Sequence, residues 1–365
     1  AAEVKMTKIA ANVGFAHWSH DIGGFKTPNP SAELYVRWVQ AGAIWPLYRS
    51  HGTKGSERRY WEYDHFPLMK EALRLRAVLS PYLYSSAAVA HRTGIAAVRS
   101  LYIDHPDAPQ AYGEQSEFTT CHGDALIARP IVEPLNGSDS VDVQLWLPPT
   151  KYGWLEWNQS SSSGDVVVGP SGGDVTVQAP LDYLPLYVKG GVALPLLSVD
   201  AQTVLVDDAV IWSIFGGGLG VSVVNGTGEQ YFDDGDTTEY TDKEAYAIQR
   251  LTFEYSAAKK TLNVQVAAAQ ATGGYEVPSQ ARNISFQFRG GLGVGQSSSH
   301  SQKIVVDDSL GETLTALPTS ATIQGEAMQC SLTTAHELAL PQGVIVCSSS
   351  QLYPLTETLQ VTVQW

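Results

Sequence analysis

The stretch His17-Trp18-Ser19-His20-Asp21-Ile22-Gly23-Gly24-Phe25 decides how this chain is read. A mostly apolar run from Ile9 to Phe15 feeds it. Hydrogen-bonding and aromatic side chains then gather from His17 to Asp21. The glycine pair that follows can take positive φ at little cost, so the backbone can turn sharply there. A short strand that ends in polar groups and glycines is how a β/α barrel presents functional residues at its C-terminal face. A second stretch has the same form: Ala43-Ile44-Trp45-Pro46-Leu47-Tyr48, then Arg49, Ser50 and His51. The roughly 20–25 residues between the two suit a loop and one short helix, the spacing of neighbouring barrel strands.

Outward from these stretches, helical spacing predicts the end of a helix over Ala1 to Asn12, with Gly14 as its stop and a strand over Phe15 to Trp18. Ser31 is placed to cap a helix from Ala32 to Ala41. Leu34, Trp38 and Val39 give its apolar face, and Glu33 favours its positive N-terminus. A second strand ends at Tyr48, and Gly52 to Arg59 reads as a polar loop. Asp64 is placed to cap a long helix running to His91 and closed by Gly94. Leu68, Leu73, Leu75, Val78 and Leu79 form its inner face, and Pro81 should kink it by removing a backbone donor. From Val98 onward the period changes to two. Val141 to Leu147 alternates clearly, and Val204 to Ile214, Leu251 to Tyr255, Leu262 to Ala267, Ile284 to Phe288 and Leu359 to Trp365 read as β-branched segments. Gly, Ser and Asp turns separate them, which is a β-sandwich pattern.

The chain has 365 residues, enough for two or three domains. Its 37 acidic and 23 basic residues give a net charge of −14. That balance argues against nucleic acid and anionic membrane as partners. No stretch approaches about 20 uninterrupted apolar residues, so no membrane-spanning helix is expected. The opening Ala1-Ala2-Glu3-Val4 reads as the continuation of a longer chain. Only seven Asn occur, yet four stand in Asn-x-Ser/Thr sequons: Asn136, Asn158, Asn225 and Asn283. This points to the secretory pathway, whether secreted, lysosomal or vacuolar, or in the ER lumen. Cys330 and Cys347 flank a short stretch and can close a hairpin disulfide, which their spacing alone does not fix. Cys121 is left over.

Taken together, WSHDIGGF, WPLYRSH and the following RYWEYDHFPLMKEALRLRAVLSPYLYSSAAVAHRTG resemble glycoside hydrolase family 31, the α-glucosidases, α-xylosidases and relatives. The later YVKGGVALPL and YFDDGDTTEY resemble its C-terminal β domains. The resemblance implies the C-terminal part of a (β/α)8 barrel followed by two β-sandwich domains. The last two barrel strands and helices fall in residues 1–97, a proximal β domain in 98–197 and a distal one in 198–365. It also implies hydrolysis of an α-linked oligosaccharide or glycoside with retention. In that family two aspartates do the chemistry, both upstream of the segment matched by HWSHDIGGF. The resemblance therefore implies an N-terminal chain or segment as partner, carrying the catalytic pair.

Five side chains are candidates for the sugar pocket. Asp21 can accept two sugar hydroxyls, hold a positive neighbour, or simply cap the glycine turn. By the resemblance it borders the subsite of the sugar whose bond is cleaved. His51 can donate to a hydroxyl from one ring nitrogen while the other is fixed. By the resemblance it contacts the same sugar. Arg49 suits a carboxylate partner, either Asp21 or an upstream aspartate. Phe25 and Trp18 can stack on a sugar face, whereas Trp45 reads as barrel packing. His17 and His20 form H-x-x-H, but residues three apart on a strand face opposite ways and no third ligand follows, so no metal is expected. Asp233 to Asp236 lacks the later ligands of a calcium loop and reads as a turn. No phosphate-cradling or nucleophile motif appears, and no cofactor is expected. The alternative function is a non-catalytic carbohydrate-binding or structural protein on the same scaffold.

Overall fold

A computed structural model describes residues 1–26, 28–157, 167–197, 210–217, 221–256, 258–259, 261–277 and 358–364, and five further strands named below. Three helices open the chain: α1 (Ala2–Asn12), α2 (Ala32–Ala43) and α3 (Phe66–Thr93). The first strands after them are β1 (Val98–Ser100), β2 (Thr120–His122), β3 (Leu126–Ala128), β4 (Ser140–Leu147), β5 (Trp154–Glu156), β6 (Val167–Val168), β7 (Gly173–Pro180), β8 (Leu186–Lys189) and β9 (Val192–Leu197). There follow β10 (Val210–Phe215), β11 (Val223–Phe232), β12 (Ala247–Ser256), β13 (Thr261–Val266) and β14 (Gln270–Ala271). The last are β15 (Ser285–Arg289), β16 (Ser320–Ile323), β17 (Glu326–Ala327), β18 (Gln329–Leu332), β19 (Ile345–Ser348) and β20 (Leu359–Gln364).

The helices form for the reasons the sequence suggests, with corrections. Ser31 Oγ accepts the Leu34 amide at 3.3 Å and caps α2. Its buried face is Tyr35, Val36 and Val39, while Leu34 is 50% exposed. Asp64 is not the cap of α3, which begins at Phe66 after His65 without a side-chain cap bond. The helix runs unbroken through Pro81 and ends at Gly94, whose φ of 75° places it in the left-handed region. Met69, Ala72, Leu75, Leu79, Tyr82, Ser86 and Ala90 bury one side of α3 at three- and four-residue intervals.

The two expected barrel strands are the main correction. Phe15 to Trp18 is irregular, and α2 continues through Ala43, so Ala43 to Tyr48 is a helix end and a turn. Among the described residues, the parallel pairing between the two stretches is a single bridge, Ile22 to Ser50, which lies just beyond both segments. A parallel strand is held by neighbouring strands, but the carbonyls of Ala43, Trp45 and Pro46 are taken by the Arg76 guanidinium and that of Ile44 by His122. The bridge still sets Asp21 beside Arg49, as barrel-strand ends would.

The β region is built in layers. A six-stranded sheet has the order β1-β2-β3-β8-β5-β6, and β4 and β7 form a separate antiparallel ribbon. Period-two alternation divides the sheet's side chains between two cores. Leu126, Ala128, Leu155, Leu186 and Val188 pack with Trp45, Leu75 and Leu79 of the helical region. Cys121, Ile127, Trp154 and Tyr187 pack instead with Val143, Leu145, Val175 and Val177 of the ribbon. The second sheet runs β17-β16-β20-β13-β12-β11-β9-β10-β15-β19-β18, with β14 paired to β12. It is mixed: β10–β15 and β9–β11 are parallel pairs among antiparallel ones. β9 carries the chain from one sheet into the other, pairing with β10 from Val192 to Leu197.

Polar bonds fasten the helices to these sheets. Lys8 of α1 is buried and donates to the Ser116 and Glu117 carbonyls at 2.6 and 2.9 Å. Arg37 of α2 donates to the carbonyls of Tyr183 and Ala179 at 2.9 and 3.0 Å. On α3, Tyr82 Oη donates to the His122 carbonyl at 2.7 Å and accepts the Ala125 amide at 3.1 Å. Among the described residues, no helix is long and apolar enough to cross a membrane.

Candidate functional site

Two short segments make the site, and the glycine pair shapes the first of them. Asp21 to Gly24 closes a tight turn in which the Gly24 amide donates to the Asp21 carbonyl at 2.8 Å. Gly23 and Gly24 have φ of 91° and 85°. A side chain in that region is strained, and at Gly23 it also meets Arg58: an added Cβ would lie 2.6 Å from Arg58 Cδ. The second segment, Arg49 to Ser56, is bonded to the first along the backbone. Ile22 N donates to the Arg49 carbonyl at 2.9 Å, and Thr53 N to the Phe25 carbonyl at 3.2 Å.

These bonds bring four of the five candidates together. Arg49 Nε stands 3.0 Å from Asp21 Oδ1. Arg49 is mostly exposed and Asp21 only partly so, at 24% of its side chain. The pair leaves carboxylate lone pairs for hydroxyl donors, since a carboxylate has about four acceptor positions. Phe25 and His51 stack almost parallel, with ring centroids 4.7 Å apart and planes 8° from one another. Lys26 Nζ lies 5.8 Å from the Phe25 ring centre. Phe25 remains 38% exposed. The result is an apolar face beside a carboxylate, a guanidinium and an imidazole, a set that suits a polyhydroxy ring. Trp18 is the fifth candidate, and its ring instead meets Phe15 edge-on at 6.1 Å.

His20 belongs to the frame. Trp38 Nε1 donates to its Nδ1 at 3.3 Å, which leaves Nε2–H to face Thr7 Oγ1 at 2.7 Å, and Thr7 in turn donates to the Glu3 carbonyl at 3.0 Å. Its ring packs 3.9 Å from that of Trp45, which is 1% exposed. Both ring nitrogens are thus occupied in tying α1 to α2. His122 does a similar job between the sheet and α2, with Nδ1 on the Ile44 carbonyl and Nε2 on Thr120 Oγ1, each at 2.8 Å. Burial holds both imidazoles at about 4, against an ordinary 6.5.

The sign of the resulting pH dependence follows. Below pH 6.5 the unfolded chain takes up protons that the folded chain refuses until about pH 4. The stability these groups contribute is whole above pH 6.5 and is lost as pH falls through that window. Denaturant midpoints should therefore drop between pH 7 and pH 5. His20→Gln, which keeps an acceptor for Trp38 and a donor for Thr7, should flatten part of that drop. Equal midpoints across the window would contradict this account.

Among the described residues, no three His, Cys, Asp or Glu side chains are grouped to hold a metal ion. Asp234 sits in the expected turn, where Oδ1 accepts the amides of Asp236 and Thr237 at 3.1 and 3.0 Å. Asn136 lies exposed at the tip of a turn with φ 51°, where Ser138 N donates to the Leu135 carbonyl at 2.9 Å. Asn225 is exposed on β11, whereas Asn158 and Asn283 lie outside the described residues. Backbone register sets Cys330 opposite Cys347 in β18 and β19, and their side chains lie outside the described residues. Cys121 is buried, which pushes its thiol well above the usual range and leaves it inert.

The profile of the glycosyl hydrolases family 31 TIM-barrel domain matches residues 2–86, and that of the family 31 C-terminal domain matches 94–194. Neutral alpha-glucosidase C of Homo sapiens is 30% identical over 257 residues, which is 68% of this chain. This chain belongs to glycosyl hydrolase family 31. The Saccharolobus solfataricus alpha-xylosidase is 28% identical over 242 residues, 64% of this chain. The chain spans 26% of the first of these relatives and 30% of the second. A Flavobacterium johnsoniae family 31 dextranase solved with glucose superposes on the whole chain with a TM-score of 0.74 at 22% identity, using 41% of its own length. Glucosidase II alpha subunit superposes on 99% of the chain with a TM-score of 0.64 at 19% identity, using 36% of its own length. As a family 31 chain, the molecule combines a TIM-barrel portion with a C-terminal domain. Asp21, Phe25, Arg49 and His51 all fall within the matched barrel residues.

One residue of the site went unremarked in the sequence. Arg58 sits in what reads as a polar loop, next to a second arginine. The structure buries it beneath the glycine turn, at 7% exposure. Nothing in the local pattern distinguishes it from Arg59.

Proposed function

We propose that this chain is the C-terminal part of a retaining, α-glucosidase-like glycosidase acting on terminal α-linked sugars. The observation that carries the reading is the joined pair of segments. The Asp21–Arg49 ion pair and the Phe25–His51 stack stand side by side on a family 31 barrel portion. Retaining enzymes need two carboxyl groups about 5–5.5 Å apart, one attacking the anomeric carbon and one moving the proton. In this reading both belong to a preceding segment or chain. Asp21 accepts hydroxyls of the sugar ring, His51 donates to it, and Phe25 covers an apolar edge. Together they hold the ring for close to in-line attack, and orientation of that kind can supply several kcal/mol.

The surface of α1 supports a preceding partner. Met6, Ile9 and Val13 are about half exposed or more and fall three and four residues apart on one side, and Phe15 continues the stripe. An apolar stripe of that form normally packs against another element. The two β regions complete the scaffold as proximal and distal β-sandwich domains. The exposed turn at Asn136 supports a glycosylated protein of the secretory pathway.

The test begins with natively purified protein. Denaturing mass spectrometry should find a longer chain, or a co-eluting one, that supplies two further aspartates. The same material should hydrolyse at least one member of a panel of 4-nitrophenyl α-glycosides with retention. A preparation with the full barrel and no activity on the panel would move the reading to a carbohydrate-binding protein.

A further inference from the structure

We infer that Arg58 is a positioning residue for the sugar-binding turn, holding the Gly24 carbonyl so that Asp21 and Phe25 are presented at a fixed angle. The inference rests on the glycosidase reading above for its kinetic consequence. Two consecutive glycines at φ of 91° and 85° give the turn its shape, but glycines also leave it free to take others. Something outside the turn must select this one. Arg58 Nε donates to the Gly24 carbonyl at 2.8 Å, and Nη2 of the same guanidinium reaches the same oxygen. Nη1 donates to Asn29 Oδ1 at 2.9 Å, on the far side of the loop. The aliphatic stem lies so close over Gly23 that a Cβ there would be 2.6 Å from Arg58 Cδ.

Arg58 is itself anchored. Tyr35, fully buried on α2, donates from Oη to the Arg58 carbonyl at 3.0 Å. The attachment thus runs from the core of α2 through Arg58 to Gly24, and from there to Asp21 on one side and Phe25 on the other. A lysine would keep the charge but lose the planar fork that holds a carbonyl and Asn29 together.

The experiment uses the enzyme with its complete barrel and, as probe, 4-nitrophenyl α-D-glucopyranoside. Arg58→Lys should lower kcat/KM about tenfold, mainly through KM, with a much smaller effect once Asp21→Asn is already present, about threefold or less. Asn29→Ala, a surface change that removes the Nη1 bond to Asn29 Oδ1, should shift kcat/KM the same way by a smaller factor and with the same dependence on Asp21. Hydrogen exchange gives a readout that needs no activity: amides from Ile22 to Lys26 should exchange about tenfold faster in Arg58→Lys, with little change in α3. Unchanged exchange in that segment overturns the inference. So does an equal loss of kcat/KM in the presence and absence of Asp21→Asn, which is the mark of independent, merely structural effects. An inactive wild type on this probe and the wider panel counts against the glycosidase reading, while the exchange result still decides the role of Arg58.

Discussion

Asp21→Asn should lower kcat/KM of the complete enzyme about a hundredfold or more while leaving the melting temperature nearly unchanged. The substitution keeps the shape of the side chain and removes its charge. Hydrogen bonds to a charged acceptor are worth about 1.5–3 kcal/mol each, so weakening two sugar hydroxyl contacts accounts for a loss of that size. The stability cost is small for a separate reason. Its ion-pair partner Arg49 is more than half exposed. Water replaces the lost carboxylate there, and exposed pairs of this kind contribute about 0–1 kcal/mol. Steady-state kinetics alongside a thermal melt separates the two effects. A variant within about threefold of wild type would show that the carboxylate caps the glycine turn and does not touch substrate.

The second large effect is expected at Trp157. Its side chain is fully buried, and its ring stacks on Phe215 with centroids 5.9 Å apart. It belongs to the core that joins Val4 of α1, Trp45, Leu75 and Leu79 of the helical region, Leu186 of the first sheet, and Leu194 and Phe215 of the second. Trp157→Ala opens a cavity where the helices and both sheets meet, and should cost about 3–5 kcal/mol. That is a large share of the roughly 5–15 kcal/mol typical of a folded domain. Denaturant titration should show an early loss of the packing between helices and sheets. Trp61→Ala is the control: this ring is 65% exposed. Its removal should stay within about 0.5 kcal/mol. A Trp157 variant no worse than the Trp61 one would remove the argument that a single core unites the three parts.

Much of this was legible in the chain itself. Ser31 and Gly94 were readable as the ends of helices because caps act within one turn, and the structure finds both in those roles. Alternation in Val141 to Leu147 gave a strand with one buried face for the same local reason. Asp21 was one of two carboxylate partners the chain offered for Arg49, the other being an upstream aspartate, and the structure sets Arg49 Nε 3.0 Å from Asp21 Oδ1. Local rules failed where the partner is distant. Phe15 to Trp18 and Ala43 to Tyr48 have strand-like composition, yet among the described residues the parallel pairing is the single Ile22–Ser50 bridge just beyond them. Strand pairing is a property of what lies alongside, and composition does not supply a neighbour.

The sequence by itself determined the family, the helical caps, the period change near Val98 and the residue types gathered around the glycine pair. These depend on short-range spacing and on motifs that stay together along the chain. Only the tertiary structure decided which of those residues act as a group. It stacked Phe25 on His51, turned Trp18 toward Phe15, spent both nitrogens of His20 on the frame, and drew Arg58 under Gly24. Each of these is settled by contacts between residues 3 to 34 positions apart. The directions of side chains across such gaps come from packing, which no single stretch of sequence contains.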